Sequence, residues 1–262
     1  MSRPSNIGIL SYEVYLPSTF ISQSDFESFN KESKGKYSIG LGQQEMSVVG
    51  DREDINSIAA TVFLNLIEKN SINPSAIGRL EIGTETFQDK SKSTKTFLMD
   101  YFQGNNSVEG ITSVNACYGA VQGLFNSVAW IESSSWDGRL AIVIAADIAI
   151  YEAGPARATG GAGAVALLIG PNAPLVLDPL RSTYMENAWD FYKPIPSSEY
   201  PVVDGQFSLK CYLKSISNCY KQLKQKTGLN TIQSLADFYC FHAPYMKLTL
   251  KSFTHIVSEE LK

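Results

Sequence analysis

The sequence predicts an α/β layered fold, and three observations carry that prediction. Short apolar runs of strand length alternate with amphipathic helical patterns along most of the chain. Leu140 to Ile150 is almost wholly apolar, as fits a strand covered on both faces. At Val114-Asn115-Ala116-Cys117-Tyr118-Gly119 an extended apolar segment gives way to a long helical pattern.

Residues 7 to 16 read as a strand stopped by Pro17. Ser24-Asp25-Phe26-Glu27 fits a capping box that opens a short helix, and the polar segment 31 to 50 reads as a loop. Asp51-Arg52-Glu53-Asp54 precedes Ile55, Ile58, Ala59, Val62 and Leu66, an amphipathic helix to about Asn70. Arg79 to Gly83 is a short strand, 93 to 103 a helix, and 111 to 116 a strand that delivers Cys117. Val121, Leu124, Phe125, Val128 and Ile131 then recur at helical spacing.

After the Leu140 to Ile150 strand, Ala164 to Ile169 is strand-like and Pro171 to Pro174 ends it. Gly161 to Ala166 superficially matches a dinucleotide fingerprint, but a strand-like run follows it, so close backbone packing accounts better for its glycines. Residues 176 to 205 read as an irregular connection. Beyond them, Phe207 to Lys224 is predicted as helix, Leu235 to Phe241 as strand and Tyr245 to Leu261 as helix. The expected domains are therefore a first half over 1–175 and the start of a second over 206–262.

Composition narrows the function. Charged residues are 18% of the 262, below the usual quarter, which implies much buried surface. A net charge of −4 argues against nucleic acid as partner, and no apolar run of about 18 residues exists to span a membrane. Met1 to Asn6 has neither an apolar signal core nor an Arg-rich leader, so a cytoplasmic location is expected. The cysteines at 117, 211, 219 and 240 show no metal-ligand spacing with the two histidines, so reduced thiols and no metal are expected.

Three residues stand just past the ends of predicted strands, where open α/β sheets bind ligands: Cys117, Glu85 and His242. A thiol at a helix start can have its pKa lowered by the unpaired N–H groups there and act as a nucleophile. Glu85, close to a thiol and among apolar neighbours, can serve as a general acid or base. The plainer alternatives are a cysteine packed in a core and a glutamate capping a turn. Lys247 and Lys251 share one helical face and can hold a phosphate, against ordinary solvation. His255 lies mid-helix among polar residues and reads as solvated. Asp147, inside an apolar run, must be hydrogen-bonded or stand at the strand's functional end.

The segments Gly35 to Gln43, Asp51 to Ser57, Gly83 to Thr86 with Asp89 to Ser93, Asn115 to Gly119, Trp130 to Arg139 and Asp190 to Pro194 closely resemble hydroxymethylglutaryl-CoA synthase of eukaryotic type. The resemblance covers nearly the whole chain. It implies a thiolase-like layered fold (αβαβα) of two similar halves, the first complete here and the second truncated. By resemblance Cys117 accepts an acetyl group from acetyl-CoA, Glu85 deprotonates its methyl, and His242 polarises acetoacetyl-CoA. Lys36, Lys247 and Lys251 match CoA contacts, Thr159 and Ser208 substrate contacts, and Tyr118, Asp147 and Asp190 supporting groups. CoA thioesters are the implied partners and substrates, with no cofactor or metal, in a homodimer feeding isoprenoid or sterol synthesis. Pro155, Tyr184 and Ala120 stand where the family usually has Asn, His and Gly. Family chains continue further, so the competing expectation is a short paralogue or fragment that binds CoA thioesters or pairs with a full-length subunit.

Overall fold

The structure is a computed structural model and describes residues 4–229 and 231–261. In chain order its elements are β1 (Gly8–Tyr15), β2 (Thr19–Ser22), α1 (Gln23–Phe29), β3 (Glu45–Val48), α2 (Ile55–Lys69), β4 (Ile77–Gly83), α3 (Thr94–Leu98), β5 (Thr112–Ser113) and α4 (Gly119–Glu132). They continue with β6 (Leu140–Ala149), β7 (Gly161–Gly170), β8 (Leu175–Val176), β9 (Phe191–Tyr192), β10 (Val202–Val203), α5 (Gly205–Thr227) and α6 (Lys247–Glu260). Two compact units emerge. The first takes the chain up to Thr19, Ser47–Ala149 and Gly161–Leu177; the second takes Phe20–Met46, Ile150–Gly160 and the chain from Asp178 onward. Segments 20–46 and 150–160, which fall in the first half by sequence, thus cluster with the later chain.

The first unit is built on a sheet of order β5-β4-β6-β7-β1-β8. Strands β4, β5 and β6 run parallel, and β7 is antiparallel to both β6 and β1. The apolar run of β6 is central because helices cover both sheet faces there. Ile142 and Ile144 face the cluster of Phe63, Leu66 and Phe102, while Ala141 and Val143 face Val128 and Ile131. Each such side chain, if fully buried, contributes about 1.5–3 kcal/mol. Helix α2 starts as expected, with Asp54 accepting from the Ser57 N–H and the Ser57 hydroxyl accepting in return.

Three local expectations change. Segment 31–50 is not loop throughout, since β3 pairs with β2 in a two-stranded sheet. The expected 111–116 strand shrinks to β5, at the sheet edge where pairing is available on one side only. The Ser24–Glu27 capping box does not form: α1 is capped at Ser22 without a side-chain bond, and the Glu27 carboxylate instead binds backbone amides of residues 35–38.

The second unit contains α5 and α6 packed together. Asp204 caps α5 through the Phe207 N–H, and Gly228 closes it in the left-handed conformation. The predicted strand over 235–241 is not one. A 3-10 turn covers Ile232–Ser234, and no regular element follows until α6. A strand needs a neighbour to satisfy its amides and carbonyls, and none of the described strands pairs with this segment. Part of the segment still turns inward: Leu235, Tyr239 and Phe241 line a cavity of about 340 Å³ between the helices, while Phe238 is 89% exposed.

Candidate functional site

In the first unit, glycines decide which chain ends meet. A Cβ on Gly83 would stand 2.1 Å from the Ala120 nitrogen, and one on Gly119 would stand 2.9 Å from the Ser113 carbonyl oxygen. Only glycines let the end of β4 and the start of α4 approach so closely. Glu85, two residues beyond β4, and Cys117, two residues before α4, are therefore carried on neighbouring chain ends. Between β5 and α4 the chain makes a tight turn in which the N–H groups of Tyr118 and Gly119 donate to the Asn115 carbonyl. Ala116 has φ +39° there, a left-handed conformation that costs a residue with a Cβ about 1–3 kcal/mol. Cys117 follows directly.

Asp147, near the end of β6, holds the opposing segment. Its Oδ1 accepts from the Glu85 N–H at 2.8 Å, the Thr84 hydroxyl at 3.0 Å, and the N–H and hydroxyl of Thr86 at 3.2 and 3.1 Å. The backbone of Glu85 is thus fixed by a carboxylate 62 residues away in sequence but adjacent in the sheet, since Gly83 pairs with Ala145. Burial raises the Asp147 pKa above its ordinary value, and these bonds oppose that shift.

The Cys117 thiol departs from expectation. It reaches the surface, yet desolvation on its inner side raises its pKa, and the charges of Glu85 and Asp147 raise it further. Cys117 stands just before the helix, and burial first, with the two nearby acids adding to it, outweighs the stabilising dipole there. The arrangement keeps the resting thiol protonated and sets a carboxylate close enough for its charge to be felt.

Sequence reading missed a polar ladder beside this pair. The Tyr118 hydroxyl donates to Gln122 at 2.8 Å, Gln122 to Asn126 at 2.8 Å, and Asn126 to the buried Glu81 at 3.4 Å; Glu81 is paired with Arg79 at 2.6 Å. The four-residue spacing of 118, 122 and 126 was its only sequence signal. Thr84 and Thr86 were legible just as polar neighbours of Glu85.

The other expected site residues belong to the second unit. His242 is exposed at its edge, and burial of the rest of its ring lowers its pKa, so the neutral imidazole prevails at pH 7. It does not stand beyond a strand end, for the reason given above. The Tyr212 hydroxyl donates to the His242 carbonyl at 2.7 Å and fixes its backbone. Thr159 ends a 3-10 turn whose Ala158 carbonyl accepts from the side chains of Gln23 at 2.9 Å and Gln43 at 3.1 Å. Ser208 sits in the first turn of α5, donating its N–H to Asp204, whose own N–H donates to the Asp190 carbonyl.

Lys36, Lys247 and Lys251 are all exposed. The Lys247 N–H donates to the Leu41 carbonyl at 3.1 Å, which brings the start of α6 against the segment that carries Lys36. Lys251 lies over the Tyr245 ring at 5.5 Å. These cations can meet a polyanionic ligand. His255, by contrast, contacts Ser217 at 2.8 Å and is only half exposed, so it is less solvated than its sequence context implied.

Among the departures from the family pattern, the Tyr184 hydroxyl donates to Glu186 at 2.6 Å, and Ala120 is the residue against which Gly83 packs. Among the described residues no helix is long and apolar enough to cross a membrane.

Comparison with known proteins adds a consistent result. The family profile described as hydroxymethylglutaryl-coenzyme A synthase N terminal matches residues 3–174, and its C terminal counterpart matches 175–261. Hydroxymethylglutaryl-CoA synthase A of Dictyostelium discoideum is 54% identical over 260 residues, covering 97% of this chain and 54% of that protein. The cytoplasmic hydroxymethylglutaryl-CoA synthase of Pongo abelii is 52% identical, covering 97% and 51%. A solved structure of MvaS in complex with 3-hydroxy-3-methylglutaryl coenzyme A is 30% identical, with a TM-score of 0.87 over 98% of this chain and 63% of that one. The chain spans about half the length of the curated relatives it matches. The thiolase-like α/β fold that the motifs implied is the fold of these neighbours, and the chain belongs to the hydroxymethylglutaryl-CoA synthase family.

Proposed function

We propose that the chain carries the acyl-transfer chemistry by which acetyl-CoA and acetoacetyl-CoA are condensed to hydroxymethylglutaryl-CoA. The observation that carries this reading is the pairing of Cys117 with Glu85, whose backbone Asp147 fixes through the hydrogen bonds of residues 84–86. The Cys117 sulfur attacks the acetyl carbonyl carbon, the bond from that carbon to the CoA sulfur breaks, and the thiol proton leaves on CoA. Glu85 takes a proton from the acetyl methyl, and the resulting carbon nucleophile adds to the ketone carbon of acetoacetyl-CoA. A neutral His242 donates a hydrogen bond to the acceptor oxygen, where charge develops, and the proton held by Glu85 then passes to that oxygen, which becomes the hydroxyl and restores the carboxylate. Water then cleaves the acyl-cysteine bond, freeing the product and the thiol.

Lys36, Lys247 and Lys251 meet the CoA phosphates on this reading, Thr159 and Ser208 contact substrate, and Tyr118 and Asp190 support the site. MvaS has been seen with the product, and CoA is the ligand of another family structure, which supports CoA thioesters as ligands here. We further infer a cytoplasmic homodimer; relatives named as cytoplasmic support the location. No metal or cofactor enters the scheme.

A second reading, a CoA-thioester-binding chain without turnover, is favoured by residues 235–241, which lie outside any sheet. Mass spectrometry of the 262-residue chain after incubation with acetyl-CoA separates the two. An added acetyl group on Cys117, lost in Cys117→Ala, is expected. A folded chain that binds acetyl-CoA and stays unlabelled fits the second reading, and a label on another residue removes Cys117 as nucleophile.

A further inference from the structure

Glu27 has no part in the chemistry above, yet it is a carboxylate buried to 2% exposure in the second unit. Its Oε1 accepts from the N–H groups of Tyr37 at 2.7 Å and Ser38 at 2.8 Å and from the Ser38 hydroxyl at 3.0 Å; its Oε2 accepts from the Gly35 N–H at 2.7 Å. Backbone amides converging in this way form a cradle that elsewhere binds free anions. Here the chain supplies the anion itself. Bonds from Ser38 and Gly35 bring its pKa down to about 2, so it stays charged throughout the working range.

The segment held in this way carries Lys36. The amides on both sides of that residue point at Glu27, and the Lys36 ammonium reaches outward to Glu32 at 2.6 Å. At the far end of the same segment Leu41 receives the Lys247 N–H, and a Cβ on Gly42 would stand 3.2 Å from the Lys247 Cγ. Gly35 and Gly42, at φ +86° and +74°, are the left-handed residues that let the segment curl around one carboxylate and still meet α6. The glycine-rich pattern Gly35 to Gly42 thus has a mechanical reason: it wraps an internal anion and thereby fixes where external cations stand.

We propose that Glu27 is a positioning residue that sets Lys36, together with Lys247, for the phosphate groups of the CoA thioester. The inference rests on the assignment of these lysines to CoA. Moving or uncharging the carboxylate frees three amides and lets the Lys36 segment drift, so affinity for the phosphorylated part of the ligand falls while affinity for its thioester end does not.

The test compares binding of acetyl-CoA and acetyl-pantetheine, which lacks the nucleotide phosphates, to the whole chain by calorimetry. Wild type is expected to prefer acetyl-CoA, and Lys36→Ala to lose part of that preference. Glu27→Gln is expected to weaken acetyl-CoA about tenfold, the scale of a hydrogen bond to a charged group, with acetyl-pantetheine unchanged. In Glu27→Gln/Lys36→Ala the two losses should not add, because one acts through the other. Glu27→Asp and Ser38→Ala, which retain most of the cradle, are expected to lie between and serve if Glu27→Gln fails to fold. A preference in wild type that survives Glu27→Gln, or losses that add fully in the double variant, overturns the positioning role and leaves the lysine assignment standing. No preference in wild type overturns both.

Discussion

In the first unit the residues on either side of the sheet are sealed: Phe63 and Phe102 on one face and Ile131 on the other are at most 1% exposed. In the second unit Leu235, Tyr239 and Phe241 from an irregular segment line a cavity of about 340 Å³ with residues of α5 and α6. Both segments have strand-like sequences, β6 and 235–241, and among the described residues only the first has strands to pair with. The difference teaches that apolar side chains find an interior with or without a sheet, whereas a strand also requires neighbours for its backbone. It also divides the chemistry. Cys117 and Glu85 sit where sheet and helix are fixed by buried glycines, and His242 follows a segment fixed mainly by side-chain contacts.

Truncating one aromatic residue in each region should give unequal losses, and this is the largest effect expected. Phe63 is fully buried and packs against Phe102 with ring centroids 4.9 Å apart. Phe63→Ala should therefore destabilise the first unit by about 3–5 kcal/mol. Phe241→Ala enlarges a space that is already open, so the loss should be about 1 kcal/mol. Chemical denaturation followed by hydrogen exchange, which reports each region separately, measures both. Equal losses would mean that the second unit is as tightly packed as the first.

A smaller effect distinguishes two thiols. Burial raises the pKa of both Cys117 and Cys219, but only at Cys117 do acids add to it, Glu85 first and Asp147 second. Below its pKa a thiol is protonated and unreactive, so a raised pKa means less thiolate at any given pH. Glu85→Gln removes one negative neighbour and should lower the Cys117 pKa. Its alkylation by iodoacetamide at pH 8 should then speed up by about a few-fold, with Cys219 unchanged as an internal control. An unchanged Cys117 rate would show that Glu85 does not act on the thiol by its charge.

The sequence made the first unit legible because its signals were redundant. The apolar run of β6, the acidic residues 51–54 ahead of the helical spacing of α2, and the spacing of α4 each pointed to one structure, and the motif around Cys117 sat at a strand-to-helix change that survives in the fold. Glu85 was legible for the same reason. What escaped depends on distant partners. Glu27 matched a local capping box, but amides eight to eleven residues away hold it more strongly than its own helix start. The Cys117 pKa was misjudged in sign because its helix was visible in sequence, whereas the burial of the thiol and the proximity of Glu85 and Asp147 were not. The 235–241 strand failed because pattern reports a face and says nothing of partners.

The finest test adds atoms rather than removing them, and it predicts opposite signs in the two regions. Cys219 lines the open cavity between α5 and α6, so Cys219→Leu places new methyl groups where there is space and apolar wall to receive them. Cavity filling of this kind should stabilise the second unit by about 0.5–1 kcal/mol. Ala166, on β7, is fully buried beside Ile144 in the sealed core of the first unit. Ala166→Leu forces the same kind of side chain into occupied volume and should destabilise by about 1–3 kcal/mol. Thermal denaturation of the two variants gives both signs directly. If Cys219→Leu destabilised as Ala166→Leu does, the cavity would have to be filled in solution, for instance by residues 235–241 settling deeper between the helices, and the contrast between the two regions would be one of side-chain placement rather than of missing strands.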